Sequence, residues 1–552
     1  LRLRPAVVNG KIAVFGSSLV RCELRRPNRI RFAISSPAVS QTDETQGVTV
    51  SSRDLVRSAR VVRGLQGALE ASLWLVVAGS VLAFGSVHAW AYSILWVACF
   101  VAAGLALARA VAVGGLRQRL GAHRVAFHVS GRWLVVEPHP ADRALGWAID
   151  LREPALPRGS LLLPGLAFLA LALLQLAPLA GGPVTLAPEA TRRGITFLLA
   201  FLLLHQAAAA AFALGPARRR FRNVLAWLGA GLAIAALAQV ASGTRLVYGF
   251  FEPLEGGFPY GPFVNRNHFA GYMLLVLPVA LGLLADAWRA YARRVGGSPN
   301  ARRTLVGLQT VEGARLVYSA LPPLVGIGAL VASTSRGGIL AFCAALAIAG
   351  AGVRARRGTP AWAAALVFAA VALTWFGLER LEVRFLRSAD DAPGRTVVWR
   401  ESLQSMHGSR WATGYGLNAY AEALSRVPAW RLPAGATSWP EAVAVPLATG
   451  ERIGYRAPGD LPGLAWYREA HSDWVQLLVE TGVPGILVGL WAALSALAAA
   501  RRDPWLFAAL AGVLMHAFVD FDLQIPAIPA LFVVLAALPR GQGVRQTEGV
   551  RS

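Results

Sequence analysis

Runs of about twenty apolar residues recur along this chain, and they restrict its fold more than any other feature. A helix needs about 20 mostly apolar residues to cross the hydrocarbon core of a bilayer. Twelve stretches meet or approach that length, at about 67–84, 89–111, 160–179, 195–215, 223–242, 268–286, 316–333, 337–352, 361–377, 474–499, 505–520 and 525–539. Composition agrees, with 55% hydrophobic and 15% charged residues and a mean hydropathy of +0.49. A 552-residue chain with so few charges cannot enclose that much apolar surface in a water-soluble core. The fold expected is an all-α polytopic integral membrane protein of about 12 transmembrane helices, with one large external loop at 378–470.

The links between the runs orient them. The net charge of +24 comes mostly from arginines. They gather in alternate links: "GLRQRLGAHR", "PARRRFR", "RAYARRVGGSPNARR", "RARR", "RRDP" and the closing "RGQGVRQ". Cytoplasmic loops collect Lys and Arg, so both termini are expected in the cytoplasm. No basic stretch is interleaved with stacking aromatics as single-strand binding would need, which excludes nucleic acid as a partner. Membrane lipids are the partners that composition itself implies.

The first 66 residues are polar and basic and begin with Leu. They are expected to be a disordered cytoplasmic tail or an over-extended gene start. Residues 67–242 form an N-terminal group of helices with a cytoplasmic loop at 112–159, where "RVAFHV" and "RWLVVEP" predict a small β-hairpin. Residues 243–540 form a second group, and 541–552 a cytoplasmic tail. The three cysteines, Cys22, Cys99 and Cys343, fit no disulfide framework or metal spacing.

Four polar clusters fall on the external side of this topology: "GPFVNRNHFAGYMLLVLP" (261–278), "STSRGGILAF" (333–342), "GRTVVWRESLQSMHGSRWATGYGLNAY" (394–420) and "WYREAHSDWVQLLVETGVPG" (466–485). In the last, Asp473, Gln476 and Glu480 stand at i, i+3 and i+7 and so share one helical face. Asp473 with Gln476 resembles a capping box, which leaves His471 just outside the helix. Glu480 would lie about 10 Å further along, and Gly482-Val-Pro484-Gly485 would interrupt the helix. Charge at that depth calls for a partner, and an arginine is the expected one.

Taken in order, the clusters resemble the membrane family of O-antigen ligases and O-antigen polymerases, the Wzy-C superfamily. The resemblance rests on Asn265 and Asn267, on Ser335 to Gly338, on Arg395, Trp399, Gly414 and Gly416, and on His471 with Glu480 to Gly485. It covers about residues 195–540, with Ser472 standing where the family often has Asn. It implies that 243–540 is the catalytic region and 378–470 a periplasmic loop, in a bacterial inner (cytoplasmic) membrane. The implied reaction moves a glycan from a polyprenyl (undecaprenyl) diphosphate carrier to an acceptor hydroxyl on a glycolipid, a glycan or a protein.

The residue types suit that chemistry. A diphosphate leaving group needs positive charge, and arginine offers a planar fork that stays charged; the candidates are Arg266, Arg336 and Arg395. Arginines at helix ends also snorkel to headgroup phosphates. A base near neutrality deprotonates the acceptor, and His471 is the candidate. Asn265 and Asn267 serve either as substrate contacts or as helix caps, and His268 beside them reads as an interfacial bystander. His407 and His516 lack ionisable company at a helix mouth. No DxD motif or His/Cys ligand spacing appears, and Asp390-Asp391 in a loop reads as solvated, so neither metal nor cofactor is expected. Ligase-type transfer is favoured over a polymerase or an O-linked protein oligosaccharyltransferase, which share the donor. A non-enzymatic polyprenyl-glycan transporter is the alternative of another class, but it would spread its arginines across both faces.

Overall fold

The computed structural model describes residues 13–15, 18–24, 30–35, 52–123, 127–129, 132–134, 159–179, 182–213, 215–252, 258–296, 306–354, 388–425 and 468–538. The run expected at 361–377, the Pro/Trp-rich part of the large loop and the closing tail lie outside the described residues.

The chain divides into two compact units, Leu1–Gln66 with Arg109–Ala155 and Gly67–Ala108 with Leu156–Ser552. In the first, β1 (Ala13–Phe15), β2 (Ser18–Leu24) and β3 (Ile30–Ser35) pair in sequence order as an antiparallel meander. This differs from the structureless tail expected there. The alternation in "SLVRCEL" and "IRFAIS" has the two-residue period of a strand. The hairpin expected in the 112–159 loop is β4 (Phe127–Val129) against β5 (Arg132–Leu134). The all-α expectation therefore holds for the membrane part and gives way to short strands outside it.

The helices are α1 (Ser52–Leu82), α2 (Ala89–His123), α3 (Leu162–Leu176), α4 (Pro188–Ala211), α5 (Gly215–Ser242), α6 (Arg266–Val295), α7 (Val311–Ala332) and α8 (Arg336–Arg354). After them come α9 (Ser388–Ser405), α10 (Arg410–Thr413), α11 (Tyr420–Ser425), α12 (Asp473–Ala500), α13 (Pro504–His516) and α14 (Ala527–Ala536). Among the described residues, seven helices are long and apolar enough to cross a membrane, and four further apolar ones are shorter. Together these match eleven of the twelve expected runs, and the twelfth, 361–377, lies outside the described residues. Helix α13 stops at His516, where a cluster of ionisable residues begins, and α3 stops two residues before Pro178.

Helix α6 is the axis of the second unit. Asn265 caps its start, its Oδ1 accepting from the Asn267 N–H at 2.9 Å, and Gly296 ends it at φ 88°. Its apolar window is 89% buried, against 22% for α12, so α6 is surrounded by protein. Lipid tails are as apolar as leucine, so helices in a membrane associate through close packing, and small residues permit it. A Cβ on Gly229 of α5 would meet Val276 at 2.4 Å, and one on Gly326 of α7 would meet Leu277 at 2.6 Å. Elsewhere large apolar side chains face outward, among them Ile94, Val97, Leu163 and Leu494. That pattern suits a membrane protein whose solvent is lipid.

Candidate functional site

The site is built where α12 begins. Ser472 takes extended angles (φ −160°, ψ 117°) and its hydroxyl accepts from the Val475 N–H at 3.4 Å, so Ser472 is the N-cap, not the expected Asp473. Asp473 instead reaches across to the turn after α13, accepting from the Leu523 N–H at 2.9 Å. His471 stays outside the helix at φ 52°, a left-handed angle that few non-glycine residues adopt. Such angles persist where the surroundings over-determine them. Here the Asp473 N–H donates to the carbonyls of Ala517 and Asp520, and the Trp399 indole donates to the Ala470 carbonyl at 3.0 Å, so His471 is held on both sides.

Asp520 ties three further segments to this turn. Its carboxylate accepts from Asn267 Nδ2 at 2.8 Å and lies 3.5 Å from Arg395 Nη2 and 3.9 Å from His268 Nε2. Arg395 also donates to the Val519 carbonyl, which fixes its fork on the same turn. Phe521 sits edge-on between two imidazoles, 4.7 Å from His268 and 5.1 Å from His471. Burial would raise the Asp520 carboxyl, but His516, His268 and Arg395 facing it hold it below its ordinary value. His471 too lies below its ordinary value: burial lowers it, Asp520 opposes that, and Arg395 lowers it further. A half-buried histidine of lowered pKa is neutral at pH 7, the state in which it can accept a proton.

Behind His471, Asp473, Gln476 and Glu480 are all buried. Gln476 donates to Glu469 at 2.7 Å and to Glu480 at 3.1 Å, while its oxygen accepts from the Ala470 N–H. The partner expected for Glu480 was an arginine. The structure gives it the Asn418 N–H at 2.8 Å, because the helix breaks two residues later and brings a loop within reach. At Gly482 (φ 67°, ψ −170°) the helical path stops, leaving the carbonyls of Val479 and Glu480 without their usual partners. The Tyr415 and Gly416 N–H groups take them, each at 2.9 Å, and Gln175 of α3 donates to the Glu480 carbonyl at 2.8 Å. Only glycine fits at Gly414 and Gly416, where a Cβ would stand 2.2 Å from the Glu480 oxygen and 2.0 Å from Thr185 Oγ1.

The Ser-Arg-Gly-Gly turn opens α8. Ser335 Oγ accepts from the Gly338 N–H at 3.4 Å, and a Cβ on Gly337 would meet His516 Nε2 at 3.0 Å. Arg336 is half-buried at that helix start. His516 forms a fully buried pair with Asp522 at 2.5 Å, and Gly271 of α6 admits the Asp522 carboxylate, which a Cβ there would meet at 2.3 Å. His471, Asp473, Arg395 and Asn267 therefore converge on the 517–523 turn, with Gln476 and Glu480 behind. Asn265 is a cap, and the Arg266 guanidinium lies over the Phe258 ring at 4.3 Å. Among the described residues no group of three His, Cys, Asp or Glu side chains has metal-holding geometry.

Residues 323–491 match the family model Wzy_C, described as O-Antigen ligase. The match supports membership of the O-antigen ligase family. No curated protein matches the chain. The segment matched to the O-antigen ligase family begins in α7 and ends in α12, so it contains Ser335–Gly338, Arg395, Gly414, Gly416, His471 and Glu480. It leaves out Asn267 and the 517–523 turn, which complete the same cluster. Sequence reasoning passed over Asp520, Asp522 and Gln175, set His516 aside for want of ionisable company although it pairs with Asp522, and took His268 for a bystander. The signal was there in "HAFVDFD" (516–522), three ionisable residues closing an apolar run.

Proposed function

We propose that this member of the O-antigen ligase family is a glycosyltransferase that moves a glycan from a polyprenyl diphosphate to an acceptor hydroxyl. The positive-inside pattern of the links supports a periplasmic His471 turn at the inner membrane, with both termini cytoplasmic. The acceptor oxygen attacks the anomeric carbon, and the bond from that carbon to the diphosphate oxygen breaks. The bonding pair leaves with the polyprenyl diphosphate, and the acceptor proton passes to the His471 imidazole. Arginine forks, Arg395 and Arg336 with Arg266 at the rim, neutralise the leaving diphosphate without a metal ion. Preorganised charges of this kind are each worth several kcal/mol, on the order of a hundredfold or more in rate. Asp473, Gln476 and Glu480 keep the base in place.

One observation carries this reading: His471 is lifted out of α12 in a left-handed turn beside Arg395, with Asp520 joining both to Asn267. Ligase-type transfer onto a glycolipid acceptor is the form we favour. His471→Ala is expected to cut transfer by about 10²–10⁴-fold in a protein that still inserts and accumulates; unchanged surface glycan in that variant overturns the assignment. Arg336→Lys is expected to fail as well, because a point charge does not replace a fork. In a strain lacking the protein, accumulated free polymer marks a ligase, and single repeat units mark a polymerase.

A further inference from the structure

Outside the segment matched to the family, two turns carry a group of rings that the reaction so far leaves unused. Phe84 closes α1 and packs against Phe251 at 4.9 Å, Tyr248 at 5.4 Å, His88 at 5.5 Å and Trp90 at 6.5 Å. His88 meets Phe251 at 5.3 Å, and Phe250 stacks on Tyr248 at 6.1 Å. The backbone beneath them is strained: Phe84 (φ 57°), Ser86 (φ 60°) and Tyr248 (φ 56°) are left-handed without being glycine. Bulky residues hold such angles only where other contacts fix them. The Tyr248 hydroxyl donates to the Leu82 carbonyl at 2.6 Å, and the Ser86 hydroxyl to the Ser80 carbonyl at 3.1 Å.

This group adjoins the candidate site. A Cβ on Gly85 would meet Ile525 at 3.0 Å and Phe263 at 3.1 Å, so the turn rests on the segments that carry Asn267 and Asp522. Arg468, three residues before His471, faces His88 and with burial pushes that imidazole down. His88 Nε2 is buried with no hydrogen-bond partner among the described residues, while Trp90 and Phe250 are 55% and 73% exposed. Aromatic residues of an interfacial belt anchor a protein at the headgroups. Here they are joined ring to ring on two strained turns next to a polar site, which is an arrangement for a shaped ligand. Ring faces are electron-rich and attract the C–H groups on a pyranose face.

We infer that the Phe84–His88 turn and the Tyr248–Phe251 turn form a saccharide shelf that binds pyranose rings of the donor glycan beyond the sugar attached to the diphosphate. The inference rests on the transfer reading above and adds a subsite to it. The test uses the full chain in vesicles of phosphatidylethanolamine and phosphatidylglycerol. Two donors are compared, the polyprenyl diphosphate glycan from the source cells and the same donor trimmed to its first sugar. Phe251→Leu is expected to raise KM for the full donor about tenfold, with kcat within about twofold and the trimmed donor unaffected. Phe251→Tyr should restore the wild-type values, and Trp90→Leu, at the exposed rim, should show a smaller rise of the same kind. Equal effects on both donors would mean a membrane seat or a folding role, and a change in acceptor KM alone would move the shelf to the acceptor; either overturns the inference. If the wild type transfers neither donor, the transfer reading fails. Saturation-transfer NMR with the free glycan then still decides the shelf: contact with the wild type that Phe251→Leu loses supports it, and no contact overturns it.

Discussion

Helices α6 and α12 open alike and continue differently. Each starts from a polar cap, Asn265 in one and Ser472 in the other, and each sends its next residues to the Asp520 turn. From there α6 runs on through Pro278 to Gly296, enclosed by its neighbours. Helix α12 breaks at Gly482, and the carbonyls freed by the break receive the Gly414–Gly416 turn. Continuity makes α6 a scaffold, and interruption makes α12 a receptor for a loop. The loop in turn caps Glu480 through Asn418 and keeps the buried face behind His471 in order.

The sharpest way to break the comparison is to put the same methyl group on each helix's contact. In Gly414→Ala the added carbon stands 2.2 Å from the Glu480 oxygen, at φ 64°. Backbone cannot give way as a side chain can. The variant is expected to lose transfer and about 3 kcal/mol of stability, read as a lower thermal midpoint in detergent. In Gly282→Ala on α6 the added carbon meets the Trp505 side chain at 3.1 Å, which can shift. The expected cost is about 1 kcal/mol, with transfer retained. Equal losses in the two variants would mean that the break has no special part in the site.

Much of α12 was legible because it is local. The i, i+3, i+7 spacing of Asp473, Gln476 and Glu480 and the Gly-Val-Pro-Gly interruption both lie within thirteen residues of chain, and helical geometry acts on that scale. The cap was misplaced by one residue, since Ser472 and Asp473 are both good N-caps and only the backbone angles separate them. The buried charge of Asp520 was signalled locally, but its partners were not legible, because Asn267 and Arg395 stand 253 and 125 residues away. The partner of Glu480 was misjudged for a related reason. A pattern of side chains shows where charge is buried, but not which backbone N–H a broken helix will bring to it. The end of a run was hard to place for the same reason, since the apolar run 505–520 continues past the point where the buried His516–Asp522 pair ends the helix.

A gentler comparison exchanges the caps. Ser472→Ala and Asn265→Ala each remove one acceptor from a helix start, and each is expected to cost about 1 kcal/mol of thermal stability. Transfer should separate them. Losing the Ser472 hydroxyl frees the turn that holds His471, and turnover is expected to fall about tenfold, whereas Asn265→Ala leaves that turn intact and lowers turnover less than about twofold. Matching turnover in the two would place the constraint on His471 elsewhere, in the Trp399–Ala470 contact.

The smallest effect expected is a displacement along the pH axis. If His471 is the proposed base it acts only when neutral, so transfer should fall as pH drops through a value below the ~6.5 of free histidine. Burial and the Arg395 guanidinium put that limb there, and Asp520 opposes them. Replacing Asp520 by Asn removes the one charge that favours imidazolium, so the limb should move further to acid. Arg395→Gln removes a charge that disfavours it, so the limb should move toward neutrality. Asn267→Ala on α6 exchanges neutral for neutral, so the limb should stay while its height drops, because only the hydrogen bond that orients Asp520 is lost. The two openings thus separate by charge: the residues facing His471 across the turn set where it titrates, and the α6 side sets only how well it is held. A limb that stays in place in all three variants would mean that the acceptor proton goes to a group other than His471.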